Sequence, residues 1–345
     1  DLPSSGEEGP HWNVSAEDNE RCFRLFTGLT NRIGARKLGR NWCWVSLKEF
    51  GCHRTFYGEF TWEEDKRTAT SYIGSMAKQF HPLRHATLCD QRHLGTSPKW
   101  AAEQWAEAQQ WFHRNVAVYV LSLPTSTERR TRVIARFGEL AIPFTFVDGV
   151  DLRLGDGLGK AVKEGYIPES FNLTQAQAEA LRARNGMGGE GSILGTVGCA
   201  AGHFKAQRHA LQASPRKRLA VIFEDDVSPS EDFVTRLWSL VKEELPCDWQ
   251  AVSLASRCPY GECVSPHLTR VRPDVNEPEW RCRHGVNYGF QGMLYRTSEI
   301  ERVQKLWKPV VFNATRPHCL DVDVALASIS HQVRFYAVPQ VQVPG

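Results

Sequence analysis

Residues 116–123 read Val-Ala-Val-Tyr-Val-Leu-Ser-Leu, a near-continuous apolar run of the kind that forms a strand buried on both faces. Pro124-Thr125-Ser126 breaks the run, and Thr125 followed by Glu128 has the spacing of a capping box. Val133, Ile134, Phe137 and Leu140 then recur at helical intervals, and Phe144-Thr-Phe-Val147 returns to strand before Asp148-Gly149. Residues 151–195 are rich in Gly and polar side chains and give no clean period, so a surface excursion is expected there. A helix from about Cys199 to Ala213 follows, then the strand Leu219-Ala-Val-Ile-Phe223. Ser228 and Glu231 suggest a second capping box, ahead of a helix that buries Phe233, Leu237, Leu240 and Val241. Further strands are expected near 251–254, 292–295 and 333–338, with helices near 298–307 and 321–329. This alternation predicts an α/β fold with a largely parallel sheet.

The sharpest chemical signal is Glu224-Asp225-Asp226, set directly after the apolar strand 219–223. In open α/β sheets, ligands bind at the carboxyl ends of strands. Three adjacent carboxylates repel one another unless a cation or hydrogen-bond donors offset the charge. A hard divalent cation with oxygen ligands does so and can also bridge a diphosphate. The competing reading is a solvated acidic turn that caps the next helix through its dipole.

Composition narrows the class. A net charge of +3 with scattered basic residues gives no footprint for nucleic acid. No apolar stretch approaches the roughly 20 residues needed to span a bilayer. Seven of the eleven Trp residues precede residue 116, which divides the chain into a Trp/Cys-rich N-terminal extension (1–115), whose fold is unassigned, and a second unit (116–345). Trp100, Trp105 and Trp111 lie on a stretch read as a helix leading into that second unit. The ten cysteines contain no C-x-x-C pair, against a zinc ribbon. With the sequons Asn13-Val-Ser, Asn172-Leu-Thr and Asn313-Ala-Thr they favour the secretory pathway lumen (ER or Golgi) or secretion over the cytoplasm. The first residues lack an initiator Met and a signal-peptide core, as expected of a processed or excised chain.

Four segments resemble, in order, those of glycosyltransferase family 25, the bacterial lipooligosaccharide and collagen galactosyltransferases. Tyr119-Val-Leu-Ser-Leu-Pro-Thr-Ser-Thr-Glu-Arg-Arg130, running on to Ile142-Pro-Phe-Thr-Phe-Val-Asp148, is similar to the family's opening strand, double arginine and second strand. Gly198-Cys199-Ala-Ala-Gly202-His203 resembles its Cys-x-x-Ser-His segment, with Gly202 in place of the serine. Ala220-Val-Ile-Phe-Glu-Asp-Asp-Val227 resembles its metal motif. Gly289-Phe-Gln-Gly-Met-Leu-Tyr-Arg296 and His318-Cys-Leu-Asp321 resemble its late glycine strand and its His-Pro-Val-Asp segment.

The resemblance implies a GT-A type, Rossmann-like fold and a UDP-sugar donor, usually UDP-galactose. It also implies inversion at the anomeric carbon, with Mn2+ or another divalent cation at Glu224, Asp225 and Asp226. Carried over, Ser122, Leu123, Asp148 and Gly149 would hold uridine and ribose, and Arg129 would reach the donor side unless it is simply solvated. His203 would orient a substrate or an acidic ligand, or else make a structural hydrogen bond. Gly289 and Gly292 would let the backbone approach the donor sugar or the metal cluster, or serve a turn or bulge. Cys199 reads as a buried small residue rather than a nucleophile. The base that takes the acceptor hydroxyl's proton would be Asp321 or Asp323. Two apart on a helix, they are expected to face different sides, with Asp321 preferred. The acceptor would be a glycan or glycoprotein. Two other classes compete: an inactive relative that binds glycans or partners, and a nucleotidyltransferase, for which no Gly-rich phosphate loop with a Lys is present.

Overall fold

The computed structural model describes residues 44–46, 55–57, 100–183, 189–256, 261–265, 268–271 and 289–339. Asn13, Trp12, Trp42, Trp62 and the N-terminal cysteines Cys22, Cys43, Cys52 and Cys89 lie outside these residues. Within the front region two short strands, β1 (Trp44–Ser46) and β2 (Thr55–Tyr57), pair antiparallel.

The main body is built on an eight-stranded sheet. Its strands are β3 (Val116–Ser122), β4 (Thr145–Asp148), β5 (Leu219–Glu224), β6 (Ala251–Ser256), β7 (Gly261–Ser265), β8 (Leu268–Val271), β9 (Gly292–Arg296) and β10 (Phe335–Pro339). Their spatial order is β4-β3-β5-β9-β6-β10-β8-β7. The helices are α1 (Ala102–Asn115), α2 (Thr127–Glu139), α3 (Gly157–Lys163), α4 (Leu173–Ala183), α5 (Gly189–Gln212), α6 (Phe233–Ser239), α7 (Ile300–Val311) and α8 (Val322–Ser328).

Side-chain alternation along the central strands explains the layering. Val116, Val118 and Val120 of β3, with Leu219, Val221 and Phe223 of β5, join one apolar cluster with Ala108 and Phe112 of α1, Val133 and Phe137 of α2, and Leu237 of α6. The intervening Tyr119, Leu121, Ala220 and Ile222 join the other cluster, with Phe204 of α5 and Trp307 of α7. A strand that is apolar on both faces is therefore covered on both faces. Helix α1 belongs to this body, because its Ala108 and Phe112 are fully buried within it.

The expected largely parallel sheet is corrected by the strand pairing. Neighbours β3/β4, β3/β5 and β6/β10 are parallel, whereas β5/β9, β6/β9, β8/β10 and β7/β8 are antiparallel. Strand β9 enters reversed between β5 and β6, and the β7–β8 hairpin adds a reversed edge. Strand direction there is set by long-range pairing, so the reasoning that alternation implies parallel pairing fails at those strands. Two helix starts also differ from expectation. Helix α2 begins after Ser126 and α6 after Asp232, and neither has a side-chain cap. The carboxylate of Asp232 instead accepts from Arg236 at 2.7 Å. The expected excursion over 151–195 contains α3, α4 and the start of α5.

Candidate active site

The carboxyl ends of β4, β3 and β5 lie side by side, with Ser122 registered on Asp148 and Leu121 on Glu224. At this edge the three consecutive acids take three different environments. Asp225 accepts from the hydroxyl of buried Ser122 at 2.7 Å and from Arg129 at 2.9 Å. Asp226 is exposed, and its proton affinity is raised by partial burial and by the charges of Glu224 and Asp225, against an opposing pull from Arg129. Glu224 turns the other way and lines a cleft of about 370 Å³ with Thr196, Cys199, Gln291, Asp321 and Asp323.

Glu224 is held from α5. His203 donates from Nε2 to Glu224 Oε1 at 3.0 Å, and the Cys199 thiol donates to the same oxygen at 3.4 Å. One helical turn separates the two donors, so both point at the same strand end. The His203 ring is fully buried, packs edge-on to Phe290 at 5.0 Å, and has no partner at Nδ1. An Nδ1–H would be left without an acceptor, so the proton belongs on Nε2, where Glu224 uses it. Burial pushes the Glu224 carboxyl up, but the hydrogen bonds from His203 and Cys199 outweigh it and leave the group below its ordinary value. The Cys199 thiol is driven well above its ordinary value by burial and by the Glu224 charge, so it remains protonated rather than nucleophilic.

Cys199, His203 and Glu224 bring three ligand-type atoms within 4.8 Å of one another. A metal on His203 Nε2 would move the ring proton to the partnerless Nδ1, and it would also need the thiolate that burial disfavours. The trio is therefore better described as a clamp on one oxygen of Glu224. The second oxygen accepts no hydrogen bond from the described residues and is left for the cleft.

From the far end of the chain come Asp321 and Asp323. Sequence spacing placed them on different sides, yet both line the cleft. Asp321 is the residue before α8, with extended backbone (φ −73°, ψ 118°), so helical spacing does not govern the pair. The two oxygens of half-buried Asp323 accept from the backbone N–H groups of Gly289 and Val324, at 2.9 and 2.8 Å. Burial raises its pKa to about 7, the charge of Asp321 adds to this, and the two backbone hydrogen bonds oppose it.

The other expected positions are placed as follows. Arg130 bonds Asp148 and the carbonyl of Ser122, tying the ends of β3 and β4 together. Gly149 donates to the same carbonyl at 2.9 Å and leaves only 3.1 Å between an added Cβ and Leu123. Gly289 has φ +124°, and a Cβ there would meet the carbonyl oxygen of Ala255 at 2.3 Å. Its glycine is thus demanded by the backbone of β6. Gly292 packs against the ring of Phe223. At Gly202 a Cβ would come within 2.9 Å of both Leu121 methyls, so Leu121 fills the space of the missing serine. Gln291 and Thr196 were not singled out from the sequence. Gln291 lay inside a quoted motif, and only its place beside Glu224, whose N–H donates to the Gln291 carbonyl at 2.9 Å, distinguishes it.

The segment that carries this strand-end geometry, residues 115–260, matches the family model of glycosyltransferase family 25 (LPS biosynthesis protein). Residues 115–260 belong to glycosyltransferase family 25. The match takes in Ser122, Arg129, Asp148, the clamp and Glu224-Asp225-Asp226, and it supports a glycosyltransferase. Asp321 and Asp323 lie beyond the matched residues and reach the family 25 segment through the shared cleft. No curated protein matches the chain significantly.

Proposed function

We propose that this protein transfers a hexose, galactose in the first instance, from a UDP-sugar to a hydroxyl of a glycan or glycoprotein acceptor with inversion. The observation that carries the reading is that Glu224 and Asp321, from distant parts of the chain, line one cleft at the strand ends of a family 25 segment. We draw the catalytic unit as a GT-A type domain over residues 116–345 with α1 packed onto it, preceded by the N-terminal extension. We place the protein in the secretory lumen, in keeping with its sequons and with the disulfide-bonded Cys319.

The acids suit a divalent cation such as Mn2+. Asp226 has a proton affinity raised first by partial burial and then by the charges of Glu224 and Asp225, and among the described residues one oxygen of Glu224 has no donor. Glu224 and Asp226, two residues apart at a strand end, would hold the ion. Asp225, engaged by Ser122 and Arg129, would fix the turn that presents them. The cation would supply Lewis-acid stabilisation to the departing diphosphate.

The protein's own groups do the rest. Ser122, Leu123, Asp148 and Gly149 form the shelf on which a nucleoside would rest. Asp321 accepts the acceptor hydroxyl's proton as the sugar passes through an oxocarbenium-like state. Asp323, tied by two backbone donors, positions the loop at Gly289. A screen of UDP-sugars for UDP release, with and without manganese, tests the reading. Release from UDP-galactose that needs both manganese and an acceptor is expected, and it should be abolished in Asp321→Asn. Nucleotide binding without turnover across donors and acceptors would instead mark a binding module.

A further inference from the structure

Two of the three sequons fall among the described residues, and the fold brings them together. Asn172 immediately follows Phe171, Asn313 immediately follows Phe312, and these two rings meet edge-on with centroids 5.3 Å apart. Helix α4, which starts just after Asn172, also packs against the segment Pro317–Leu320 that follows Asn313. Each of the two sites, far apart in the sequence, is therefore one residue from the same buried ring contact. Asn172 and the hydroxyl residues Thr174 and Thr315 are exposed, and Asn313 is partly so.

The hydrogen bonding orients both amides in the same sense. Oδ1 of Asn172 accepts the Gln175 N–H at 3.0 Å as an N-terminal helix cap. Oδ1 of Asn313 accepts from the N–H and the hydroxyl of Thr315, at 3.0 and 2.8 Å. Backbone N–H donors require the oxygen to face inward. Each Nδ2 therefore faces away, and neither makes a hydrogen bond with the described residues. A substituent on Nδ2 would break none of these hydrogen bonds.

We propose that Asn172 and Asn313 are N-glycan acceptors and carry two glycans side by side on this face. Each transfer joins Nδ2 to the anomeric carbon of a lipid-diphosphate-linked oligosaccharide and breaks that carbon's bond to the diphosphate. The lipid diphosphate leaves and one amide proton is lost. The buried Phe171–Phe312 pair would anchor the two attachment points as a fixed base.

The test is to secrete the full chain from cultured animal cells and map the glycopeptides, using glycosidase release in heavy-oxygen water to mark each occupied Asn. Both sites are expected to be occupied in the wild type, a readout that needs no variant. Thr174→Ala and Thr315→Ala should each lose one glycan mass although the Asn remains. Folded secreted protein with either Asn172 or Asn313 unmodified overturns the proposal. The readout is mass alone, so it stands apart from the transferase reading.

Discussion

At the scale of single residues, the site depends on how one glutamate is held. The His203 and Cys199 donors both aim at one oxygen of Glu224, leaving the other for the cleft. Loss of a supporting partner of this kind typically lowers activity or metal affinity about 10–100-fold. His203→Ala is expected to do so in steady-state assays, with partial rescue by His203→Gln, which restores an N–H donor. Equal activity in both variants and the wild type would contradict the clamp. Asp323 carries the pH signature. Its pKa is near 7 in the folded chain against an ordinary 3.8, so the folded state holds the proton more tightly. The stability it contributes is whole below about pH 4 and is lost as pH rises through about 7. Urea unfolding in chelator should show stability falling between about pH 4 and 7, and Asp323→Asn should remove most of that fall.

At the scale of elements, the sequence was most legible where a strand is apolar on both faces. β3, β5, α2 and the later part of α5 follow from periodicity, because burial on both sides leaves no other reading of Val116–Ser122 and Leu219–Phe223, whereas α3 and α4 lie in a stretch without a clean period. The reversed strand β9 and the β7–β8 hairpin were not legible as such, since strand direction is a long-range property that no local pattern encodes. The acids were found as residues, but their division of labour was not. Which of three consecutive carboxylates faces a cleft depends on donors contributed by α2 and α5. Asp321 and Asp323 share a cleft because the first lies outside helix α8, a boundary that spacing alone could not fix. Two glycines test the local fit. Gly289→Ala forces a Cβ into the Ala255 carbonyl at positive φ and should destabilise by at least about 1–3 kcal/mol in denaturant titrations. Gly202→Ser meets only the mobile ends of Leu121. It should cost about 1–3 kcal/mol, and less when combined with Leu121→Val.

At the scale of the whole molecule, the matched family segment supplies the ends of β3, β4 and β5, and Gly289, Asp321 and Asp323 line the cleft from beyond it. The sheet order explains how. β9 runs between β5 and β6, so the Gly289 turn arrives beside the end of β5, and Asp323 is tied to that turn by its backbone hydrogen bond. The central claim is that Glu224, freed on one oxygen by the α5 clamp, anchors a divalent cation for a nucleotide diphosphate in this cleft. Titration of manganese into the chain with UDP present, followed by the loss of the free-ion EPR signal, measures it directly. The account predicts saturable manganese binding that depends on UDP and is weakened at least tenfold in a folded Glu224→Gln variant. Unchanged manganese affinity in that variant would contradict it.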